Sequence, residues 1–324
     1  MAWSPFAEEL IRSPFFAFLM NLLHGIAQLR TPFGNVLMQG LTFLGEETVF
    51  IVIGMLLVWC LDKKWGYRFL SMFMVGNLFN QILKALFLIP RPWVIDPDFE
   101  IVESAREAAS GFSFPSGHTQ SAVLTIGGLS LWIKKRWAYI AAVVLSLLVG
   151  FSRMYLGVHT LFDVGVSWIT GLLILLVMNR VLSRIADRPK PFAVLLGIGF
   201  GLCVAFLVFL YVSPDRIYYT YAEHKNAYIL LGTTVGFILG WVVDTLWVKF
   251  DHRAVWWVQL IKIVLGAALV VGIRSALKAL FGGSTAAPWL HGLRYGIMTF
   301  VAIGIYPLLF KPLVRLSERK QRKA

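Results

Sequence analysis

Nine long apolar runs separated by short polar connections leave this chain few ways to fold. They lie at roughly 36–60, 68–90, 118–134, 137–158, 160–183, 191–213, 227–247, 257–280 and 290–311. Most reach or exceed the ~20 residues that a helix needs to cross ~30 Å of hydrocarbon, and the shorter 118–134 run is expected to extend at one end. With 58% hydrophobic and only 15% charged residues, an ordinary soluble domain is excluded. The expected fold is all-α, a polytopic membrane helical bundle of about nine transmembrane helices plus an N-terminal interfacial helix. In that N-terminal segment, residues 6–30, Phe15, Phe18, Leu19, Leu22, Ile26 and Leu29 recur at helical spacing opposite Ser13, Asn21, His24 and Gln28.

The net charge of +13 would suit a nucleic-acid binder if the cations formed one surface, but they are dispersed in short clusters between the apolar runs. Lys63–Arg68, Lys134-Lys135-Arg136, the Arg184, Arg188, Lys190 connection, Lys249 with Arg253, and the tail from Lys311 to Lys323 fall at every second connection. Basic short loops stay in the cytoplasm. The expected topology therefore has a cytoplasmic C-terminus, with loops 91–117, 214–226 and 281–289 outside and nucleic-acid binding excluded. The acidic residues Glu8 and Glu9, with no basic region before an apolar core, do not suggest a cleavable signal peptide. Cys60 and Cys203 lie in apolar runs without metal-ligand spacing, so neither a disulfide framework nor a zinc site is expected.

Polar residues that carry chemistry concentrate between Lys84 and Asp163. Lys84 precedes Arg91-Pro92 by seven positions; Pro115-Ser116-Gly117-His118 follows; then come Ser152-Arg153, His159 and Asp163. Three cations, two histidines, a carboxylate and a Ser-Gly turn, at the ends of apolar segments, suit phosphate transfer through a histidine. Cations neutralise the phosphoryl oxygens, one imidazole attacks and the other protonates the leaving oxygen. On a helix, His159 and Asp163 would share a face. Pro92 is expected to end the preceding helix and turn Arg91 toward the site.

These residues, in this order, resemble the three signature motifs of the type 2 phosphatidic acid phosphatase superfamily, which includes lipid phosphate phosphatases, glucose-6-phosphatase and vanadium haloperoxidases. Every fixed position of the signature is present, and the resemblance covers roughly residues 36–183. It implies a catalytic group of His159, His118 and Asp163. His159 would become a phosphohistidine, Asp163 would hold its distal ring nitrogen, and His118 would act as general acid and then base. It also implies a phosphate-binding group of Lys84, Arg91, Ser116, Gly117 and Arg153, with no metal and no cofactor. The chain then divides into an N-terminal segment 1–35, a phosphatase core 36–183 and a four-helix membrane extension 184–324.

Each assignment has a plainer alternative. His159 with Asp163 would otherwise be a polar packing pair, Ser116 a helix cap, and Lys84 a side chain snorkelling to the headgroups. Loop 91–117, with Asp96, Asp98, Glu100, Glu103 and Glu107, is either a solvated loop or a gating lid with a short helix over 97–109. Glu46 and Glu47 would line a substrate entrance or pack helices, and Arg274 with Lys278 would anchor at the interface or meet an anionic headgroup. The resulting expectation is a multi-pass cell-membrane phosphatase, partnered by membrane lipids, acting on a lipid phosphate or diphosphate outside the cytoplasm. The competing readings are a phosphatase for a soluble sugar phosphate, a lipid phosphotransferase and a non-enzymatic lipid carrier.

Overall fold

The computed structural model describes residues 4–281, 283 and 286–321, with the side chains of 316–321 excepted. Parts of the 281–289 loop and of the basic tail to Lys323 therefore lie outside the described residues. The described chain is helical: α1 Pro5–Ile11, α2 Pro14–Ala27, α3 Pro32–Phe43, α4 Glu47–Leu56, α5 Lys63–Phe87, α6 Pro92–Ile95 and α7 Gly117–Ile133. Then come α8 Arg136–Tyr155, α9 Leu161–Ile185, α10 Pro189–Val212, α11 Tyr221–Val243, α12 Trp256–Leu280, α13 Pro288–Phe300 and α14 Phe310–Gln321.

Seven described helical segments are long and apolar enough to cross a membrane, and two bent pairs raise the number to nine if each pair is one span. The expected 36–60 span is one of these pairs, α3 and α4, bent by 43°. The other is α1 with α2, bent by 65°. α7 is a 17-residue helix flanked by the Ser116 cap and by Lys134 at φ 57°, so it stayed as short as its apolar run.

Local sequence dictates several of these boundaries. Three successive helices start with a hydroxyl residue and proline: Ser4 accepts from the Ala7 N–H, Ser13 from Phe16 and Thr31 from Gly34. The hydroxyl satisfies an orphan amide, and proline at the first position lacks the N–H that would otherwise be unpaired. At the other end of α8, Gly157 N–H bonds Met154 O and Val158 N–H bonds Arg153 O. This paired return requires a left-handed residue, which Gly157 supplies at φ +83°.

The chain divides into two compact units that interleave along the sequence. The first contains residues 1–51, 71–182 and 210–223. Its core packs Phe16, Leu19, Leu23 and Ile26 of α2 with Ile89, Phe114, Met154, Leu156 and Val164. The N-terminal helix thus buries Leu19 and Ile26 of the expected stripe beside Phe16, Met20 and Leu23, and leaves Phe15, Phe18 and Leu29 exposed. The face left outside carries Phe15 and Phe18 together with the polar Asn21, His24 and Gln28.

The second unit contains residues 52–70, 183–209 and 224–324. Here α11 and α13 cross at glycines: a Cβ on Gly232 or Gly236 would collide with the Gly292 or Gly296 carbonyl, which lets the backbones touch. A buried Lys63–Asp244 ion pair at 2.7 Å, joined by the Tyr67 hydroxyl at 2.8 Å, ties two of its segments together.

Candidate active site

The residues singled out from the sequence converge in the first unit, and the local turns explain how. The paired return after α8 fixes Arg153 in the last turn of the helix and His159 two residues beyond Gly157. His159 precedes α9 rather than lying on it, which corrects the helical-face explanation of the His159–Asp163 pairing. The turn brings the two together instead, with Asp163 Oδ2 accepting from the Thr160 N–H at 2.7 Å. His159 and Asp163 are each 1% exposed.

A residue missed in the sequence completes this pair. The Ser113 hydroxyl donates to Asp163 Oδ2 at 2.7 Å and lies 3.4 Å from His159 Nδ1, while Nδ1 and Oδ2 are 3.5 Å apart. Both approaches to Nδ1 are long for a hydrogen bond, so Ser113 and Asp163, bonded to each other, flank that nitrogen together. The other ring nitrogen, Nε2, lies 2.9 Å from Arg91 Nη1. A guanidinium can only donate, so Nε2 presents its lone pair and Nδ1 carries the proton. Burial first, then Arg91, Arg153, Lys84 and His118, hold this imidazole well below the ordinary histidine pKa. It is consequently neutral and nucleophilic at neutral pH.

Arg91 is held from several sides: Nε donates to Gly111 O at 3.1 Å, Nη2 to Ser110 O at 3.0 Å and Nη1 to Val158 O at 3.0 Å. Pro92 does not end the preceding helix. α5 stops at Phe87, where Leu88 takes φ 54°, and Pro92 instead opens the single turn α6 with Arg91 as its cap residue. Lys84 does not snorkel outward; it is 8% exposed and donates to Phe112 O at 2.7 Å and Ser113 O at 3.3 Å. Between Pro97 and Ala109 only a three-residue 3₁₀ turn, Glu103–Ala105, forms in place of the expected amphipathic helix. Phe99, Ala105 and Ala109 anchor this loop in the core, so its backbone follows buried contacts rather than a helical period.

Ser116 caps α7, accepting from the Thr119 hydroxyl at 2.9 Å, while its own N–H donates to Asp163 O at 3.2 Å. The cap alternative therefore holds for its side chain. It leaves the Gly117 and His118 amides at the positive end of the helix. Nε2 of His118 is buried with no hydrogen-bond partner among the described residues, as are Nε and Nη2 of Arg153. The remaining nitrogen of Arg153, Nη1, donates to Thr42 Oγ1 at 2.9 Å. Thr42, at the end of α3, was a second omission; no spacing in the sequence ties it to Arg153. Close by, Gly45 packs so tightly on the His118 carbonyl that a Cβ there would overlap it. Buried N–H groups left without partners need an acceptor, and an anion with several oxygens fits this set.

Comparison with known proteins points to one family. The family model described as PAP2 superfamily matches residues 65–187, and one described as PAP2 superfamily phosphatase, transmembrane extension, matches 228–319. The chain is 31% identical to phosphatidylglycerophosphatase B of Bacillus subtilis over 45% of this chain and 74% of that protein. It is 28% identical to an undecaprenyl-diphosphatase of Sulfolobus acidocaldarius, over 42% of this chain and 65% of that protein. It is also 28% identical to human sphingosine-1-phosphate phosphatase 2, over 60% of this chain and 49% of that protein. A crystal structure of a transmembrane PAP2-type phosphatidylglycerolphosphate phosphatase from Bacillus subtilis aligns with a TM-score of 0.44 at 29% identity, over 56% of this chain and 92% of that one. The chain is a multi-pass membrane protein and belongs to the PAP2 superfamily.

Proposed function

We propose that this protein hydrolyses a lipid phosphate or diphosphate outside the cytoplasm through a phosphohistidine on His159. The observation that carries this reading is the state of the His159 ring: Nε2 offers a lone pair 2.9 Å from Arg91 Nη1, while Nδ1 faces Ser113 and Asp163. A phosphoryl group admitted beside Arg91 meets a nucleophile already in the required tautomer. The named substrates of the relatives, a phosphatidylglycerophosphate, an undecaprenyl diphosphate and sphingosine 1-phosphate, support a lipid as the phosphate carrier.

In the proposed reaction Nε2 of His159 attacks phosphorus as the bond to the leaving oxygen breaks, and His118 gives that oxygen its proton. Water then attacks the phosphohistidine, His118 takes the water's proton, and inorganic phosphate leaves with the imidazole restored. The equatorial oxygens lie among Lys84, Arg91, Arg153 and the Gly117 and His118 amides. Asp163, held in place by Ser113, stabilises the positive ring. These three cations supply the charge stabilisation that metal ions supply elsewhere, so the reaction is proposed to be metal-independent. The core 36–183 carries this chemistry and 184–324 is an extension in the membrane.

The alternation of basic connections supports an extracytoplasmic site. α7 leaves the site toward Lys134–Arg136, α8 returns from that loop, and α5 arrives from Lys63 and Lys64. The test is phosphate release by purified protein in detergent, against phosphatidic acid, phosphatidylglycerol phosphate, undecaprenyl diphosphate and glucose 6-phosphate. Wild type should release phosphate from a lipid in EDTA and be inhibited by vanadate, and His159→Ala should be inactive. A preference for glucose 6-phosphate, or turnover by His159→Ala, would contradict the reading.

A further inference from the structure

Charge is distributed unevenly along the second unit. Its carboxylates are Asp62, Asp187, Asp244, Asp251 and Glu318. The first four gather where α5 begins: Asp62 accepts from the Trp65 N–H, Asp187 pairs with Lys64, Asp244 pairs with Lys63, and the electrostatic influence of Asp251 reaches Lys63. α12 starts beside this end, where Gln259 Nε2 donates to Cys60 O at 3.0 Å, and runs 25 residues away from it. From His252 to Ser317 the sequence contains no aspartate or glutamate. It does contain Arg274 and Lys278 in the last two turns of α12 and Arg294 in the first two turns of α13, on either side of the short connection 281–287.

Arg294 is only 9% exposed, on a helical segment long and apolar enough to cross the membrane. At 1.5 Å per residue it lies about 9 Å along the helix from Pro288. Its Nη2 is 3.0 Å from His291 Nδ1, its Nε is buried with no hydrogen-bond partner among the described residues, and its guanidinium carbon is 5.3 Å from the Tyr295 ring centroid. A guanidinium can only donate, so Nδ1 of His291 presents its lone pair and the other nitrogen keeps the proton that bonds the Ala286 carbonyl. That imidazole is therefore neutral and offsets none of the arginine's charge. The nearest further charge is another cation, since the influence of Lys225 on α11 reaches His291. Glu223, two positions before Lys225, belongs to the first unit and is bonded to Thr220. A buried cation with a bare donor and no counter-charge in its own unit calls for an anion.

We propose that this end of the second unit is a binding site for an anionic membrane phospholipid, whose phosphodiester is held by Arg294. The lipid is bound rather than hydrolysed, and the site is independent of the chemistry at His159. Arg294 Nε supplies the buried donor, and Lys225 adds a second positive charge. Arg274 and Lys278, four positions apart on one face of α12 and both exposed, draw anionic headgroups to the same end. The surroundings favour a lipid over a soluble anion. The residues that α12 buries are Val258, Lys262 and Gly266, so the half that carries Arg274 and Lys278 is left uncovered, with Val271 and Leu280 exposed. Cations set along such apolar helices meet headgroup phosphates.

The experiment adds equal amounts of phosphatidylglycerol and phosphatidylcholine with matched chains to the full-length protein in detergent and counts retained lipids by native mass spectrometry. Wild type should retain phosphatidylglycerol about tenfold in preference, a factor matching one charge-assisted contact. Its thermal unfolding midpoint should rise with added phosphatidylglycerol and not with phosphatidylcholine. Arg294→Gln should lose both effects, and Lys249→Gln, an exposed cation at the opposite end of the unit, should keep them. If Arg294→Gln does not fold, the exposed double variant Arg274→Gln, Lys278→Gln should still show a weaker preference than wild type. A wild type without preference, an Arg294→Gln protein that keeps it, or an equal loss in Lys249→Gln would overturn the proposal. So would a preference abolished by Arg91→Gln, which would place the lipid at the phosphate-binding cations of the first unit. Equal stabilisation by inorganic phosphate at the same concentration would overturn the lipid in favour of a soluble anion.

Discussion

At the scale of single residues, the site is a set of buried donors arranged around one lone pair. His159 Nε2 faces Arg91, and two nitrogens of Arg153 and one of His118 are buried without partners among the described residues. His118 is the proposed acid, so His118→Ala should depend on the leaving group. Alkyl phosphates should lose about 10²–10⁴-fold in rate, the usual range for general acid catalysis, while p-nitrophenyl phosphate should lose far less. Rates measured across phenols of graded pKa would reveal this as a steeper dependence in the variant. Parallel lines for the two enzymes would remove His118 from that role. That these residues would come together was legible in the sequence, because their types and order are distinctive. Ser113 could not, since serine beside Phe112 and Phe114 looks like any loop residue until the Asp163 carboxylate is seen 2.7 Å away.

At the scale of elements, the break between α3 and α4 lies against the candidate site. Thr42 receives Arg153 Nη1, and Gly45 lies on the carbonyl of His118 at the start of α7. Hydropathy over 36–60 read this region as one uninterrupted span, because a window average is insensitive to a bend at three residues that lose few apolar atoms. Other elements were legible for good reason: α8, α9, α10 and α12 fall close to the expected limits, since long apolar runs between charged connections admit one solution in lipid. Gly45→Ala should push the start of α7 and cost about 1–3 kcal/mol of stability, as overpacking commonly does. Thr42→Val should leave folding nearly unchanged and raise KM about tenfold by freeing the Arg153 guanidinium, a loss typical of a hydrogen bond to a charged group. Thermal unfolding in detergent and Michaelis kinetics on the two variants check both. A Thr42→Val enzyme with wild-type KM would dissociate this helix break from phosphate binding.

For the whole molecule, the account requires the site and the basic connections to lie on opposite sides of the membrane. Ser110 is exposed in the acidic loop, and Trp137, 61% exposed, adjoins Lys134–Arg136. In intact cells or spheroplasts, Ser110→Cys should react with an impermeant maleimide, and Trp137→Cys only after permeabilisation. The reverse pattern would mean a cytoplasmic site and a different pool of substrate. The expected sidedness rests on charge count in short loops, which the sequence displays directly, whereas the interleaving of the two units left no such signal. The 213–223 segment joins the first unit through buried contacts such as Tyr219 with Ala85, separated by 134 positions, and no local pattern signals such a pairing.

The central claim is that phosphate passes through one nitrogen of one histidine. Rapid quenching of purified protein during turnover of a lipid phosphate, followed by peptide mapping under alkaline conditions that preserve phosphohistidine, measures this directly. The account predicts phosphate on the peptide containing His159, at Nε2, appearing within the first turnover and absent from His159→Ala. Phosphate on His118 instead, or full turnover with no phosphorylated histidine at any time point, would contradict it.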